Sequence, residues 1–140
     1  MKTKLTFRQP VIWPSWAQRH KHKIRYPRIK PTYAKALFLI ENSASRLGIK
    51  EIIITSNHDL SITGSKGHNN KGPAVAIFFI FKGNKYTLYQ DLYFTFKQNL
   101  FSIAKVLESY VQIQNQKTKA VLYTDINQVN PHPIQQNLFA

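Results

Sequence analysis

The chain has 140 residues and is strongly basic, with 20 Lys and Arg against 6 Asp and Glu and a net charge of +14. This length suits one domain with short extensions, and a hydrophobic content of 43% is enough to build a core. Because such a charge repels itself, we expect a polyanionic partner, with nucleic acid ahead of an anionic membrane or an acidic protein. The absence of cysteine excludes disulfides, thiolate metal ligands and a cysteine nucleophile.

The sequence predicts neither a signal peptide nor a transmembrane helix. Pro10 and Pro14 interrupt the apolar residues near the N-terminus, which a signal peptide would keep continuous. The longest apolar run, residues 74 to 81, is too short to cross a bilayer as a helix. These features favour a soluble, cytoplasmic protein without a membrane partner.

Residues 1 to 31 predict a basic extended arm. The first 30 residues contain nine Lys or Arg, no acid and three prolines, and proline disfavours helix. The stretch RHKHKIRYPRIK, residues 19 to 30, contains six Lys or Arg and two His. Its apolar content is too low to offset the entropy of ordering, so we expect it to stay loosely held until a polyanion binds. Trp13 and Trp16 are candidate anchors for the arm.

Residues 32 to 115 predict a core domain that begins with a helix and a strand. Thr32 is a suitable N-cap and Gly48 a suitable helix end, with apolar residues at helical spacing between them. EIIITS, residues 51 to 56, is typical of a buried strand. A polar loop with three glycines follows at residues 57 to 73.

A hairpin and a second helix complete the predicted core. AVAIFFIF, residues 74 to 81, predicts a strand buried on both faces, and Gly83-Asn84 predicts a two-residue turn with glycine first. The pattern Thr95-x-x-Gln98 is a capping box for a helix that runs to about residue 115. We expect Phe79 and Leu107 to be buried.

The predicted fold is therefore α+β: a small three-stranded antiparallel sheet with two helices on one face, in the order αβββα. Residues 116 to 140 predict a polar C-terminal tail, with a short strand at residues 120 to 123. Double-stranded-RNA-binding domains have the same order of elements, but order alone does not define function.

Three stretches together resemble a known protein family. They are PVIWPSWAQRHKHKIRYPRIKPTYAKA at residues 10 to 36, SRLGIKEIIITSN at residues 45 to 57, and GPAVAIFFIFKGNKYTLYQDLYFTFKQNLFSIAKVLES at residues 72 to 109. Their order and spacing are similar to those of the N-terminal module of bacterial phage- and plasmid-borne proteins, many of which carry a C-terminal J domain.

The resemblance implies a shared fold and a mobile-element origin. It does not imply a co-chaperone role, because the sequence contains no His-Pro-Asp motif and His132-Pro133 is followed by Ile134. The module itself brings no established activity with it.

The basic residues are the candidate binding site. Lys and Arg can neutralise phosphates, and interleaved aromatic rings such as Tyr26 can stack on bases. The glycine-rich loop at residues 64 to 72 adds two lysines, although it lacks the spacing of a nucleotide-binding loop. The candidate nucleic-acid-binding residues are Arg19, Lys21, Lys23, Arg25, Tyr26, Arg28, Lys30, Lys66 and Lys71.

Enzymatic chemistry is poorly supported by the sequence. His58, Asp59 and His68 are candidate metal ligands, but metal-dependent nucleases usually gather several carboxylates and this chain has six acids in all. Asp91 and Asn99 are expected to be structural, bracing the turn before the second helix. We therefore expect no cofactor, no metal and no catalysis.

Three functional hypotheses remain. The first is a non-enzymatic nucleic-acid-binding accessory protein, of a mobile element or a larger nucleoprotein complex, that contacts the phosphate backbone of DNA or RNA through the arm. The alternative is an adaptor that binds an acidic protein or a chaperone client. A metal-dependent nuclease is the third.

Overall fold

The computed structural model describes residues 2 to 26, 32 to 58 and 72 to 115, which form an α+β fold. The elements in chain order are β1 (Lys4–Arg8), α1 (Tyr33–Leu47), β2 (Glu51–Ser56), β3 (Val75–Phe81), β4 (Asn84–Gln90) and α2 (Phe96–Asn115). The four strands lie side by side as β1-β2-β3-β4. The β1–β2 pair is parallel and the other two pairs are antiparallel, so the sheet is mixed.

The prediction of three strands is wrong because the N-terminal arm contributes a fourth. In β1, Leu5 pairs with Ile52 and Phe7 with Ile54, and both β1 side chains pack against the core. The order of elements is therefore βαβββα. Neither the parallel pairing nor a strand within residues 1 to 31 was predicted.

The predicted starts of both helices and the predicted end of α1 are confirmed. The N–H of Lys35 donates to Thr32 Oγ1 at 3.1 Å, and Gly48 ends α1 in the left-handed conformation with φ of 79°. In the capping box of α2, the N–H of Gln98 donates to Thr95 Oγ1 and the N–H of Thr95 donates to Gln98 Oε1, both at 3.2 Å. These bonds satisfy backbone groups that have no partner inside the helices.

The hairpin turn lies one residue earlier than predicted. Phe81 pairs with Asn84, so Lys82 and Gly83 are the two turn residues and Asn84 belongs to β4. Both turn residues have positive φ, 50° for Lys82 and 81° for Gly83. Two positive φ angles match the right-handed twist of the flanking strands, and glycine occupies the second position rather than the first.

Both helices pack on one face of the sheet, as predicted, and we call this the helix face. Phe79 and Leu107 are each 2% exposed, so their predicted burial is confirmed. The opposite, outer face carries a second apolar cluster of Ile53, Ala76 and Phe78, against which Val11 and Ile12 pack from the N-terminal region. That packing brings the basic part of the chain against the folded core.

Candidate nucleic-acid interface

Residues 9 to 26, here called the crossing segment, pass from the end of β1 over the outer face of the sheet. The N–H of Val11 donates to Asn57 Oδ1, and the N–H of Ile12 donates to Thr55 Oγ1, each at 3.0 Å. Because Thr55 lies in β2 while the next contacts of the segment lie on β4, the segment crosses the sheet at the end where β2 finishes and β3 begins.

The two tryptophans fix the middle of the crossing segment to β4. The ring centroids of Trp13 and Trp16 lie 5.0 Å and 5.3 Å from that of Tyr89, in edge-to-face geometry. Trp13 Nε1 donates to the carbonyl of Ala17 at 2.9 Å, which satisfies its polar group. The predicted anchoring by Trp13 and Trp16 is confirmed.

Asp91, directly after β4, binds the next turn of the crossing segment. Its fully buried carboxylate accepts hydrogen bonds from Arg19 Nε at 2.7 Å, from the His20 N–H at 3.1 Å and from Lys23 Nζ at 3.2 Å. The Nδ1 atom of His20 lies 2.6 Å from Asp91 Oδ1. We call Arg19, His20, Lys23 and Asp91 the Asp91 cluster.

The Asp91 cluster keeps its carboxylate charged. Burial alone would raise the pKa of Asp91, but hydrogen bonds from His20, Arg19 and Lys23 outweigh it, and the pKa lies below its ordinary value. Neighbouring Tyr89 responds in the opposite direction, since burial and the negative charge of Asp91 raise its pKa. At neutral pH the ionised carboxylate of Asp91 thus forms ion pairs with Arg19 and Lys23.

Beyond the cluster, the crossing segment continues around the edge of β4 towards α2. The N–H of Ile24 donates to the carbonyl of Leu92 at 2.8 Å, and Ile24 forms a parallel bridge with Tyr93. The ring of Tyr26 then packs edge-on against Tyr93 and Phe101, with centroid distances of 4.8 Å and 5.9 Å. The segment therefore binds the core on both sides of β4.

The candidate site residues divide into three groups. Arg19 and Lys23 pair with Asp91, and Tyr26 is packed against two rings of the core, which reduces the ring area that a base could reach. Lys21 and Arg25 are exposed and form no ion pair with any described acid. Outside the described residues lie Arg28, Lys30, Lys66 and Lys71.

The expectation that residues 19 to 30 stay loosely held without a polyanion is corrected for residues 19 to 26. In this part of the chain Arg19, His20 and Lys23 bind the Asp91 carboxylate of the protein itself, and residues 27 to 30 lie outside the described residues. Sequence reasoning treated Asp91 as a brace for its own turn and missed this role. The one available signal was a lone acid in an apolar stretch, in a chain with very few acids.

Asn99 has the structural role predicted for it. Its Nδ2 donates to the carbonyls of Pro73 at 2.8 Å and Tyr93 at 3.2 Å, and its Oδ1 accepts from the N–H of Tyr93 at 3.0 Å. These bonds fix the turn that carries the chain from Asp91 into α2, so Asn99 supports the backbone on which the crossing segment is held.

His58 is buried rather than open to a ligand. Its ring stacks on Phe96 at 4.4 Å, and its Nε2 lies 3.0 Å from the carbonyl of Gly72. Across the residues that the structure describes, no three His, Asp or Glu lie together as a metal site would require. The other candidate ligands, Asp59 and His68, fall outside those residues.

The described residues carry a large excess of positive charge. They include 14 Lys and Arg but only four acids. Three of these acids form ion pairs: Glu41 with Lys2, Asp91 with Arg19 and Lys23, and Glu108 with Lys105. The fourth, Glu51, accepts a hydrogen bond from the Thr6 hydroxyl at 2.6 Å. Ten cations have no ion pair with a described acid, namely Lys4, Arg8, Lys21, Arg25, Lys35, Arg46, Lys50, Lys82, Lys85 and Lys97.

Comparisons of the chain with protein-family models, with curated proteins and with solved structures find no significant match. Of the two helices that the structure describes, neither has the length and hydropathy needed to cross a membrane.

Proposed function

We propose that this protein is a non-enzymatic nucleic-acid-binding accessory protein, of a mobile element or a larger nucleoprotein complex. The crossing segment contacts the sugar-phosphate backbone. The observation that supports this is a cation-rich segment already held on the core, in which Lys21 and Arg25 face solvent on either side of a lysine bound to Asp91.

The Asp91 cluster supports phosphate binding in two ways. It fixes the backbone that carries Lys21 and Arg25, so less entropy is lost when phosphates bind. It also leaves positive charge in reach of solvent, since the side chains of Arg19 and Lys23 are 49% and 21% exposed while Asp91 is buried. One carboxylate thus organises a surface that remains net positive.

Phosphate contacts of this kind give affinity without sequence preference. Each cation that neutralises a phosphate releases condensed counterions, so affinity falls steeply as salt rises. Contacts to the backbone position a protein but do not read bases. The proposed function therefore predicts strongly salt-dependent binding to strands of mixed sequence.

The test compares two double variants in a salt titration with labelled DNA and RNA. Lys21→Ala with Arg25→Ala removes the two exposed cations of the crossing segment. Lys82→Ala with Lys85→Ala removes the same charge from the hairpin end of β4, about 20 Å from Asp91 along the strand. The first variant should reduce the log–log salt slope by about 1.4–1.8, at roughly 0.7–0.9 for each phosphate that is no longer neutralised.

The control variant should leave most of that slope in place. Equal losses in both variants would show that binding is spread over the whole basic surface, contrary to the proposed site. Binding to polyglutamate as tight as to nucleic acid would replace the proposal with the adaptor hypothesis, in which an acidic protein is the partner.

A further inference from the structure

We infer that the ligand of this surface is single-stranded nucleic acid, DNA or RNA, whose bases stack on Trp16 and Phe94. The inference rests on the proposed function and adds the strandedness of the ligand. It depends on exposed rings, which phosphate binding alone does not require.

Exposed rings lie on both sides of the Asp91 cluster. Trp16 is 40% exposed although it contacts Tyr89, and Phe94 is 57% exposed directly after Tyr93. Ile24, which bridges Tyr93, adds a third exposed apolar side chain. Single exposed apolar residues are ordinary on protein surfaces, but here three occur where the crossing segment follows residues 89 to 94, close in sequence to the cations of the Asp91 cluster, and this supports a binding surface.

The order of contacts places rings and cations along one line. The crossing segment runs parallel to residues 89 to 94, so Trp16 lies at Tyr89, the Asp91 cluster follows, and Ile24 lies beside Tyr93 ahead of Phe94. Five residue steps separate Tyr89 from Phe94, which is at most about 17 Å in extended chain. A nucleic-acid strand along this line would meet a ring, then cations, then a second ring.

This alternation favours a single strand over a duplex. In a duplex the bases are stacked on each other, so their faces are not available to protein rings. A single strand offers both its phosphates and its base faces, and proteins that bind it combine a basic track with aromatic side chains. Stacking tolerates every base, which agrees with the sequence-independent phosphate contacts of the proposed function.

The test measures affinity for three labelled probes of equal length: a mixed-sequence single strand, an abasic strand with the same phosphates, and a duplex, with DNA and RNA versions of the first and last. The test variant is Phe94→Ala. The control is Phe38→Ala, which removes a similarly exposed ring from α1, where Phe38 is 66% exposed. Trp16→Ala is measured alongside Phe94→Ala.

Wild type should bind the single strand more tightly than the abasic strand or the duplex. Phe94→Ala should weaken single-strand binding by about 5- to 150-fold, which corresponds to roughly 1–3 kcal/mol for one stacked base. Phe94→Ala should leave the affinity for the abasic strand and the salt slope unchanged. Phe38→Ala should leave the affinity for all three probes unchanged. Since Trp16 also packs on Tyr89, Phe94→Ala decides the outcome if Trp16→Ala disturbs the fold.

Equal affinity for the abasic strand or the duplex, or equal effects of Phe94→Ala and Phe38→Ala, would overturn the inference. The proposed function would survive if the salt slope still depended on Lys21 and Arg25. Absence of salt-dependent binding to any probe would overturn both.

Discussion

Asp91 joins the N-terminal region to the core through its hydrogen bonds with Arg19, His20 and Lys23. Its carboxylate is fully buried, yet its partners Arg19 and Lys23 keep part of their side chains in water. The two cations are therefore not fully desolvated, which limits the energetic penalty that burial places on ion pairs. We therefore expect the ion pairs of Asp91 to have a net stabilising effect on the fold.

We predict that Asp91→Asn lowers the free energy of unfolding by about 1.5–3 kcal/mol at neutral pH, the range for hydrogen bonds to charged groups. Urea unfolding measures this. Glu108→Gln is the matched control, because it makes the same charge change in a partly exposed pair with Lys105 on a helix surface and should alter stability by about 0–1 kcal/mol. Equal effects of the two variants would contradict the role given to Asp91.

The lowered pKa of Asp91 also predicts how the stability of the protein changes with pH. The folded-state pKa of Asp91 lies below its ordinary value, so its contribution to stability is complete above the unfolded pKa and is lost as pH falls through the folded pKa. Wild type should lose stability below about pH 4, near the ordinary pKa of an aspartate. Asp91→Asn should lose less over the same interval, and parallel curves for the two proteins would refute this assignment.

The burial of the core gives a third prediction. Phe79→Ala and Leu107→Ala should destabilise the protein by about 3–5 and 2–5 kcal/mol respectively, because each removes a side chain packed between sheet and helices and leaves a cavity. Chemical unfolding of the two variants beside Phe38→Ala, which truncates an exposed ring, measures the difference. A loss as small as that of Phe38→Ala would mean that the core repacks around the deletion.

At the scale of the elements, the hairpin turn places a non-glycine residue in the left-handed conformation. Lys82 adopts a φ of 50°, a left-handed conformation that disfavours most side chains and that Asn tolerates better. We predict that Lys82→Asn stabilises the protein by up to about 1 kcal/mol, because the left-handed conformation costs most side chains roughly 1–2 kcal/mol and Asn part of that, and because Asn-Gly is the preferred sequence for a two-residue turn with two positive φ angles. Lys85→Asn removes the same charge outside the turn, and a gain of equal size there would attribute the effect to charge instead.

The elements also show which parts of the fold can be predicted from the sequence. Both helices, their caps and strands β2 to β4 follow from local patterns, because periodicity and capping residues act over a few positions. β1 cannot be predicted in this way, because its partner strand β2 follows only after α1 in the sequence. Its five residues also show little alternation between buried and exposed side chains. The path of the crossing segment cannot be predicted for a related reason: Arg19 binds Asp91, which lies 72 positions away in the sequence.

The candidate site could be predicted only in part. The cations are visible in the sequence, and the structure leaves Lys21 and Arg25 exposed as a binding surface needs. Their division into paired and unpaired groups depends on a contact distant in sequence. The contacts of Trp16 with Tyr89 and of Ile24 with Tyr93 depend on the path of the crossing segment around β4.

At the scale of the whole molecule, the net charge of +14 acts against the fold. The described residues alone hold ten more cations than acids, and their few acids are already used in ion pairs or hydrogen bonds. Repulsion among exposed cations is long-ranged at low salt and is reduced by added salt, whereas the attraction of Arg19 and Lys23 to the buried Asp91 carboxylate acts over short distances and is screened less. Added salt should therefore remove more repulsion than attraction.

We predict that the melting temperature rises as sodium chloride increases from about 0.01 to 0.1 M, over which the Debye length falls from about 30 to 10 Å. Thermal unfolding followed by circular dichroism measures this. The matched variant is Lys82→Glu with Lys85→Glu, which lowers the net charge by four at the hairpin end of β4, away from the Asp91 cluster; its melting temperature should rise less with salt. A melting temperature that falls with salt would show that attractive pairs dominate the surface. In that case an unsatisfied positive surface would no longer be the reason to expect a polyanionic partner.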